Sequence, residues 1–254
     1  MTSQIDAARH FHSLHKPNEP IVLYNVWDAG SAVAVARAGA RAIATGSWSV
    51  AAAQGHTDGQ EISLDDALAI AARIVAKVDL PVTVDFEGGY ATDPALVGEN
   101  VRRLLALGAV GLNFEDQVVD GPGLHAIDDQ VARLRAVRKA ADDQGVPAFI
   151  NARTDVFLKA APDVDHAGLV DEALAREAAY AKAGADGFFV PGLKDKALIR
   201  RICEQATLPI NVMVMGEPDE AREIAALGVS RISLGPAPYI RMTAHLERDA
   251  ALFF

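Results

Sequence analysis

Asp85 and Glu87 stand at the end of an apolar run, VTV, and are followed at once by Gly88 and Gly89. Glu115 and Asp116 end a second such run, and Arg153 and Asp155 end a third. Carboxylates that converge on one place repel each other unless something compensates them. A hard divalent cation compensates well. Mg²⁺ takes oxygen ligands and keeps several waters, so a few carboxylates suffice to hold it, with Mn²⁺ as the alternative ion. Taken singly, each acid also reads as a helix cap or a solvated loop residue. Arg153 also reads as half of a salt bridge, and the two glycines as a tight turn. Asp85, Glu87 and Glu115 together are harder to reduce to capping.

What must position these residues is a series of short buried strands. ARAGARAIATG, LALGAVGLNFED, AKAGADGFFVPG and AALGVSRISLGP share one pattern: a helix end, a glycine, a short apolar run, then polar or glycine residues. Glycine supplies the left-handed helix cap, and the apolar run suits a strand buried on both faces. Apolar runs of this kind lie near 20–25, 41–45, 81–85, 109–114, 147–152, 186–190, 208–212 and 230–233. Between them, helical periodicity opens at Ser63 and at Asp93-Pro94 and recurs over 128–143 and 169–183. Eight strands alternating with helices predict an α/β fold, a (β/α)8 TIM-type barrel. The expected organisation is one domain over 1–254, with an N-terminal helix and a helical C-terminal end. A doubly wound open sheet is the alternative, but NVWDAGSA after the first strand lacks the dinucleotide glycine fingerprint. In a barrel, catalytic residues sit where strands end and βα loops begin. Thr45, Gly46 and Ser47 follow the second strand, and Asn211 lies in the seventh.

The chain has 254 residues, half of them hydrophobic, enough for one large core. Its formal net charge of −10, with no basic stripe, argues against a nucleic-acid partner. No apolar run approaches a membrane span, and no signal-peptide pattern opens the sequence. Cys203, the single cysteine, excludes an internal disulfide framework and suggests the cytoplasm.

In order along the chain come TGS at 45–47, Asp58, DFEGGY at 85–90, FEDQ at 114–117, NARTD at 151–155 and the strand carrying Asn211. With this ordered set the chain resembles the isocitrate lyase/phosphoenolpyruvate mutase superfamily, from Tyr24 to the last barrel strand. The resemblance implies a Mg²⁺-dependent enzyme that cleaves or forms a C–C bond of a small 2-oxo or 2-hydroxy mono- or dicarboxylate through an enolate. P–C bond chemistry, as in a phosphonomutase or phosphonopyruvate hydrolase, is the alternative. A carboxylate binder that has lost its chemistry is the competing class. The resemblance further implies that Asp85 holds the ion most directly, and Glu87 and Glu115 largely through water. Thr45, Gly46 and Ser47 would cradle substrate oxygens, with Asn211 beside them. Arg153 would clamp a carboxylate or developing oxyanion, and Asp58 would orient substrate and metal-bound water. VVDGPGLH, 118–125, matches a gating loop, and family members often form tetramers that exchange C-terminal helices. A homo-oligomer, dimer or tetramer, is therefore expected.

Departures from the family pattern narrow this. The gating loop carries neither the cysteine that serves lyases as proton donor nor the lysine-threonine-asparagine segment of mutases and phosphonopyruvate hydrolases. The metal motif reads Asp85-Phe86-Glu87 where Asp-x-Asp is usual, and Pro191 is followed by glycine where glutamate is common. Trp48 reads either as a residue that narrows the pocket or as packing under the loop. His125 reads either as a donor to substrate on loop closure or as an ordinary loop histidine, and His56 likewise. Cys203 reads as a small core residue. His10, His12 and His15 have spacings that do not converge on a metal and read as surface.

Overall fold

Ser63, Asp93 and Asp195 each offer a side-chain oxygen to the backbone N–H groups of the turn that follows, and helices begin there. Gly184, at φ 102°, closes another helix in the left-handed conformation. The computed structural model describes residues 3–119, 121–216 and 218–254. Its strands are β1 (Ile21–Leu23), β2 (Ile43–Ala44), β3 (Val82–Asp85), β4 (Gly111–Glu115), β5 (Phe149–Arg153), β6 (Gly187–Phe189), β7 (Ile210–Met213) and β8 (Arg231–Ser233). All pairings are parallel, in the order β1-β8-β7-β6-β5-β4-β3-β2. Closure comes at a single bridge, where Val26 N donates to Ala44 O at 2.9 Å and Gly46 N to Val26 O at 3.1 Å. The result is the expected (β/α)8 barrel.

Around it run α2 (Ala29–Arg37), α4 (Leu64–Val75), α5 (Pro94–Ala106), α6 (Ile127–Asp143), α7 (Val170–Ala183), α8 (Lys196–Gln205) and α9 (Pro218–Ala225). A further helix, α1 (Gln4–Ser13), precedes the first strand, α3 (Ser47–Ala53) follows β2, and α10 (Ala237–Ala250) ends the fold. Strand periodicity sorts the side chains. Leu112, Phe114, Ile150, Val212 and Ile232 join the helix residues Leu104, Val137 and Ile202 in one buried layer. The alternate residues Asn113, Asn151, Asn211 and Arg231 hydrogen-bond to one another across strands inside the barrel. Gly187 is required here, because a Cβ would stand 2.8 Å from both Asn151 Oδ1 and the Phe149 ring. No helix among the described residues is long and apolar enough to cross a membrane.

The far end of the barrel corrects the reading of His12 and His15 as surface residues, while His10 is exposed as expected. Phe11, Leu14 and Ala8 pack with Leu23, Val110 and Phe149, so α1 closes the end opposite the strand C-termini. His15 is only 8% exposed and stacks on Phe149 with ring centroids 3.9 Å apart. Its Nδ1 lies 2.9 Å from Phe11 O, which fixes the Nδ1–H tautomer if the ring is neutral. Burial, with the Arg231 charge nearby, pushes its pKa down to about 3. His12 is partly buried, with Nε2 3.1 Å from Pro147 O. Sequence spacing excluded a metal but could not show that this helix is a plug.

Candidate active site

Strand C-termini place the chemistry around a cavity of about 220 Å³. Asp85, the last residue of β3, is its best-supported carboxylate. Ser47 N and Oγ donate to Asp85 Oδ2 at 3.1 and 3.0 Å, and Asn113 Nδ2 donates to Oδ1 at 3.2 Å. Thr45 Oγ1 accepts from Asp85 N at 2.9 Å, so the end of β2 and the start of α3 orient this acid from both sides. Asn113 is held in turn by Asn151 Nδ2 at 2.9 Å and Arg231 Nη2 at 3.0 Å, both on its Oδ1. Arg231 is fully buried beneath Asp85, and burial pulls its pKa down to about 9 against the opposing pull of that acid.

Glu87 takes an unusual conformation. Its φ is 48° and that of Tyr90 is 58°, left-handed values that cost a non-glycine residue energy. The turn sends the Glu87 carboxylate to the loop after α3, where Gly59 N and Gln60 N donate to Oε2 at 3.1 and 2.8 Å. That contact ties Asp58 to the DFEGGY motif. Gly89, at φ 77°, passes so near Phe114 that a Cβ would lie 2.9 Å from its ring. Burial, then the charges of Asp58 and Asp85, push Glu87 up to about 8. Asp58 sits on an exposed loop, and its carboxyl is raised by the partial loss of water at the cavity wall and by the Asp85 charge.

Arg153 is held between two acids on the cavity wall. It makes a two-pronged contact with Asp155, Nε to Oδ1 at 2.6 Å and Nη2 to Oδ2 at 3.0 Å, and Nη1 reaches Glu115 Oε2 at 2.9 Å. Burial opposes its charge, but Glu115, Asp155 and Asp85 outweigh that and hold the guanidinium protonated. Glu115 is raised well above the usual carboxylate range by burial, with Arg153 opposing. Asp116 turns away from the cavity. It accepts from Asp155 N, Arg176 and Tyr180, and so buttresses the Arg153 partner.

Gly46, Ser47, Trp48, Asp58, Asp85 and Arg153 line the cavity together. Thr45, Glu87, Glu115 and Asn211 stand behind that wall: each is buried, and each bonds or neighbours a lining residue rather than lining it. His125 does not line it. Its backbone N donates to Asp116 O at 2.8 Å, and burial beside Arg133 lowers its pKa. Within the expected gating loop, Asp120 lies outside the described residues, while Gln117 bridges Leu124 to form its base. His56 is exposed and 3.9 Å from Glu61. Cys203 is partly buried on α8, its thiol pushed up to about 11 by burial.

Sequence reasoning passed over Asn25, Asn113 and Arg231. Asn25 accepts from Leu234 N and Gly235 N at 2.9 and 3.0 Å and donates to Thr45 O at 2.9 Å, which joins β1, β2 and β8 at the mouth. A polar residue inside an apolar strand, as in GLNFE and RIS, was the available signal.

Among the described residues no three His, Cys, Asp or Glu side chains form a ready-made metal cage. The donor set instead suits an ion that keeps most of its water. Asp85 is positioned by Ser47 and Asn113, Asp58 stands on the same cavity wall, and Glu87 and Glu115 lie buried behind it. Raised pKa values at Asp58 and Glu87 mark negative charge that the protein alone leaves uncompensated.

A family model for phosphoenolpyruvate phosphomutase matches residues 11–254. An uncharacterised protein of Mycobacterium tuberculosis is 32% identical over 241 residues, 94% of this chain and 87% of its own. The 2-methylisocitrate lyase of Escherichia coli K12 is 30% identical over 214 residues, 78% of this chain and 70% of the enzyme. The crystal structure of a provisionally assigned phosphonomutase from Burkholderia cenocepacia superimposes with a TM-score of 0.95 at 46% identity, covering 99% of this chain and 100% of that one. Phosphonopyruvate hydrolase, crystallised with oxalate and Mg²⁺, shares the fold at 20% identity, with a TM-score of 0.82 over 99% of this chain and 87% of that one.

Proposed function

The chain belongs to the isocitrate lyase/phosphoenolpyruvate mutase superfamily, whose enzymes include lyases and phosphonomutases, and we propose that its own reaction is Mg²⁺-dependent cleavage or formation of a C–C bond next to a 2-oxo acid, through an enolate. The observation that carries this reading is the juxtaposition of Asp85, held by Ser47 and Asn113, with the guanidinium of Arg153 on one small cavity. A carboxylate for the ion and a fixed cation for the substrate are what an enolate needs.

Asp85 would hold the ion, with Glu87 and Glu115 reaching it through water. When bound, Mg²⁺ supplies positive charge beside the developing enolate oxygen. The chain's own groups do the rest. Arg153 spends three of its five N–H groups on Glu115 and Asp155, and the other two remain for one substrate carboxylate or oxyanion. Those salt bridges also lock the fork, so little rotamer freedom is lost on binding. Gly46 N is committed to Val26 O, so the Ser47 hydroxyl, shared with Asp85, is the polar handle of the TGS segment. With Asp85 engaged in holding the ion, Asp58 is the lining acid left to orient water or exchange a proton with the enolate carbon.

P–C chemistry is the second reading, favoured by the 46% identity to the Burkholderia chain. C–C chemistry ranks first because Arg153 is the one lining cation among the described residues and is already shared by two acids, which leaves little for a doubly charged phosphonate. Pyruvate release would be measured across 4-hydroxy-2-oxo acids, oxaloacetate, 2-methylisocitrate and phosphonopyruvate, with Mg²⁺ or EDTA. Metal-dependent turnover of one of the carbon substrates, lost in Asp85→Ala, supports the proposal, and turnover of phosphonopyruvate alone supports P–C chemistry in its place. Silence across the panel together with no Mg²⁺-dependent ligand binding sinks it, and binding without turnover identifies a carboxylate binder.

The expected homo-oligomer has support of its own. Of the fourteen residues of α10 only Ala237 and Pro238 are buried, and Ile240, Met242 and Leu246 are exposed. An apolar groove of about 480 Å³ runs over the outer face of β1 and β8, lined by Val22, Tyr24, Ile232 and Leu234. We propose that a second copy of the chain covers these surfaces in a dimer or tetramer. Light scattering that returns a monomer at micromolar concentration would refute it.

A further inference from the structure

The cavity wall is divided by strand. Its charged groups are Asp58 on the loop after α3, Asp85 at the end of β3 and Arg153 at the end of β5. The remaining arc carries no charge: Trp48, Leu158, Phe189, Pro191 and Met213 supply most of its surface, and the neutral Asn25 and Ser233 that also line it are each bonded within the fold. Trp48 is 39% exposed and Leu158 46%, so apolar surface that folding did not bury faces the cavity. Trp48 is propped edge-on by Tyr239 at a ring-centroid distance of 6.0 Å, which holds the indole in place.

No cation stands on this arc among the described residues. Arg153 belongs to the charged side, and its two remaining N–H groups satisfy one carboxylate. Lys159, next to Leu158, is exposed and does not line the cavity. The sequence VVDGPGLH of the expected gating loop contains no lysine or arginine. Its histidine, His125, lies off the cavity beside Arg133, a neighbour that disfavours the charged ring. A second substrate carboxylate would lose its water against Phe189, Met213 and Leu158 and gain no cationic partner.

We infer that this site selects a 2-oxo monocarboxylate carrying a short apolar substituent and discriminates against dicarboxylates. The inference rests on the enolate-type reading of the charged half, and it departs from the di- and tricarboxylate chemistry in the names of several relatives.

The test compares 4-methyl-2-oxopentanoate with 2-oxoglutarate, which are similar in length and differ in an isopropyl against a carboxymethyl end. Each is titrated calorimetrically into the Mg²⁺-loaded protein, with oxalate and pyruvate as probes of the charged half alone. The expected result is that 4-methyl-2-oxopentanoate binds about tenfold more tightly than pyruvate, as three partly buried carbons should give. 2-Oxoglutarate should bind no more tightly than pyruvate. Leu158→Arg, a substitution at an exposed position, should raise 2-oxoglutarate affinity about tenfold by supplying the missing partner. Oxalate binding together with 2-oxoglutarate as tight as 4-methyl-2-oxopentanoate overturns this inference and leaves the enolate reading standing. Loss of that 2-oxoglutarate binding in Lys159→Ala would name the cation that overturned it. Failure of oxalate to bind overturns both.

Discussion

Glu87→Gln should stabilise the metal-free protein at neutral and alkaline pH. Glu87 is buried beside Asp58 and Asp85, which lifts its carboxyl from 4.5 to about 8. In the unfolded chain the same group ionises near its ordinary value. A raised carboxyl pKa means that the folded state holds a proton the unfolded state has released. Its contribution to stability is therefore fully present below pH 4.5 and is lost as pH rises toward 8. At about 1.36 kcal/mol per unit, the three units between pH 4.5 and 7.5 amount to on the order of 4 kcal/mol. Part of this cost is shared with Asp58 and Asp85, so 4 kcal/mol is an upper figure. Glutamine keeps an oxygen for Gly59 N and Gln60 N and removes the charge. Urea unfolding in EDTA at pH 5, 7.5 and 9 measures the effect. The stability gap between variant and wild type should open with pH, reaching about 2–4 kcal/mol at pH 7.5. Mg²⁺ should stabilise the wild type more than the variant, because the ion supplies the compensation that the substitution makes unnecessary. Parallel pH curves for the two proteins would refute the crowding of acids on which the metal assignment depends.

His15→Phe should flatten the acid limb of stability. The His15 pKa is depressed to about 3, so its stabilisation is complete above pH 6.5 and falls as pH drops below that value. Wild type should lose about 2 kcal/mol at pH 5 from this residue alone, and phenylalanine, which can keep the stack on Phe149, should not; equal losses in urea melts at pH 5 and 8 would contradict the plug. Arg153→Lys keeps the charge but loses the fork to Asp155, and kcat/KM on any substrate found should fall about 10- to 100-fold. An unchanged kcat/KM would remove Arg153 from the substrate. Asn113→Leu releases Asp85 Oδ1 and should weaken Mg²⁺ binding about 10- to 100-fold, read by calorimetry, with far-ultraviolet circular dichroism unchanged.

The strand-end acids were legible because a barrel displays its chemistry where strands stop, and VTVD, LNFED and INARTD each mark such a stop. Helix caps at Ser63 and Asp93 were legible from local hydrogen-bonding chemistry. The direction of Glu87 was not. It depends on a left-handed turn at a non-glycine residue, which the surrounding structure imposes and side-chain type does not announce. His15 was misread because a short helix with histidines looks solvated until the barrel end it covers is known. Asn113 and Arg231 left a readable trace, a polar residue on the inward phase of a buried strand. Their joint action on Asp85 arises only once β3, β4 and β8 stand around one axis. The apolar arc was equally hidden, since Leu158, Phe189 and Met213 look like core residues in the sequence and only barrel closure turns them toward the cavity.

The proposed chemistry depends on Asp85 holding a divalent cation at the mouth of the barrel. Calorimetric titration of Mg²⁺ into the protein with oxalate present, for wild type and Asp85→Ala, tests it most directly. One site per chain in the wild type, weakened at least about 100-fold in the variant while the fold persists, is the predicted result. Equal affinity in the two proteins, or no oxalate-dependent Mg²⁺ binding in either, would contradict it.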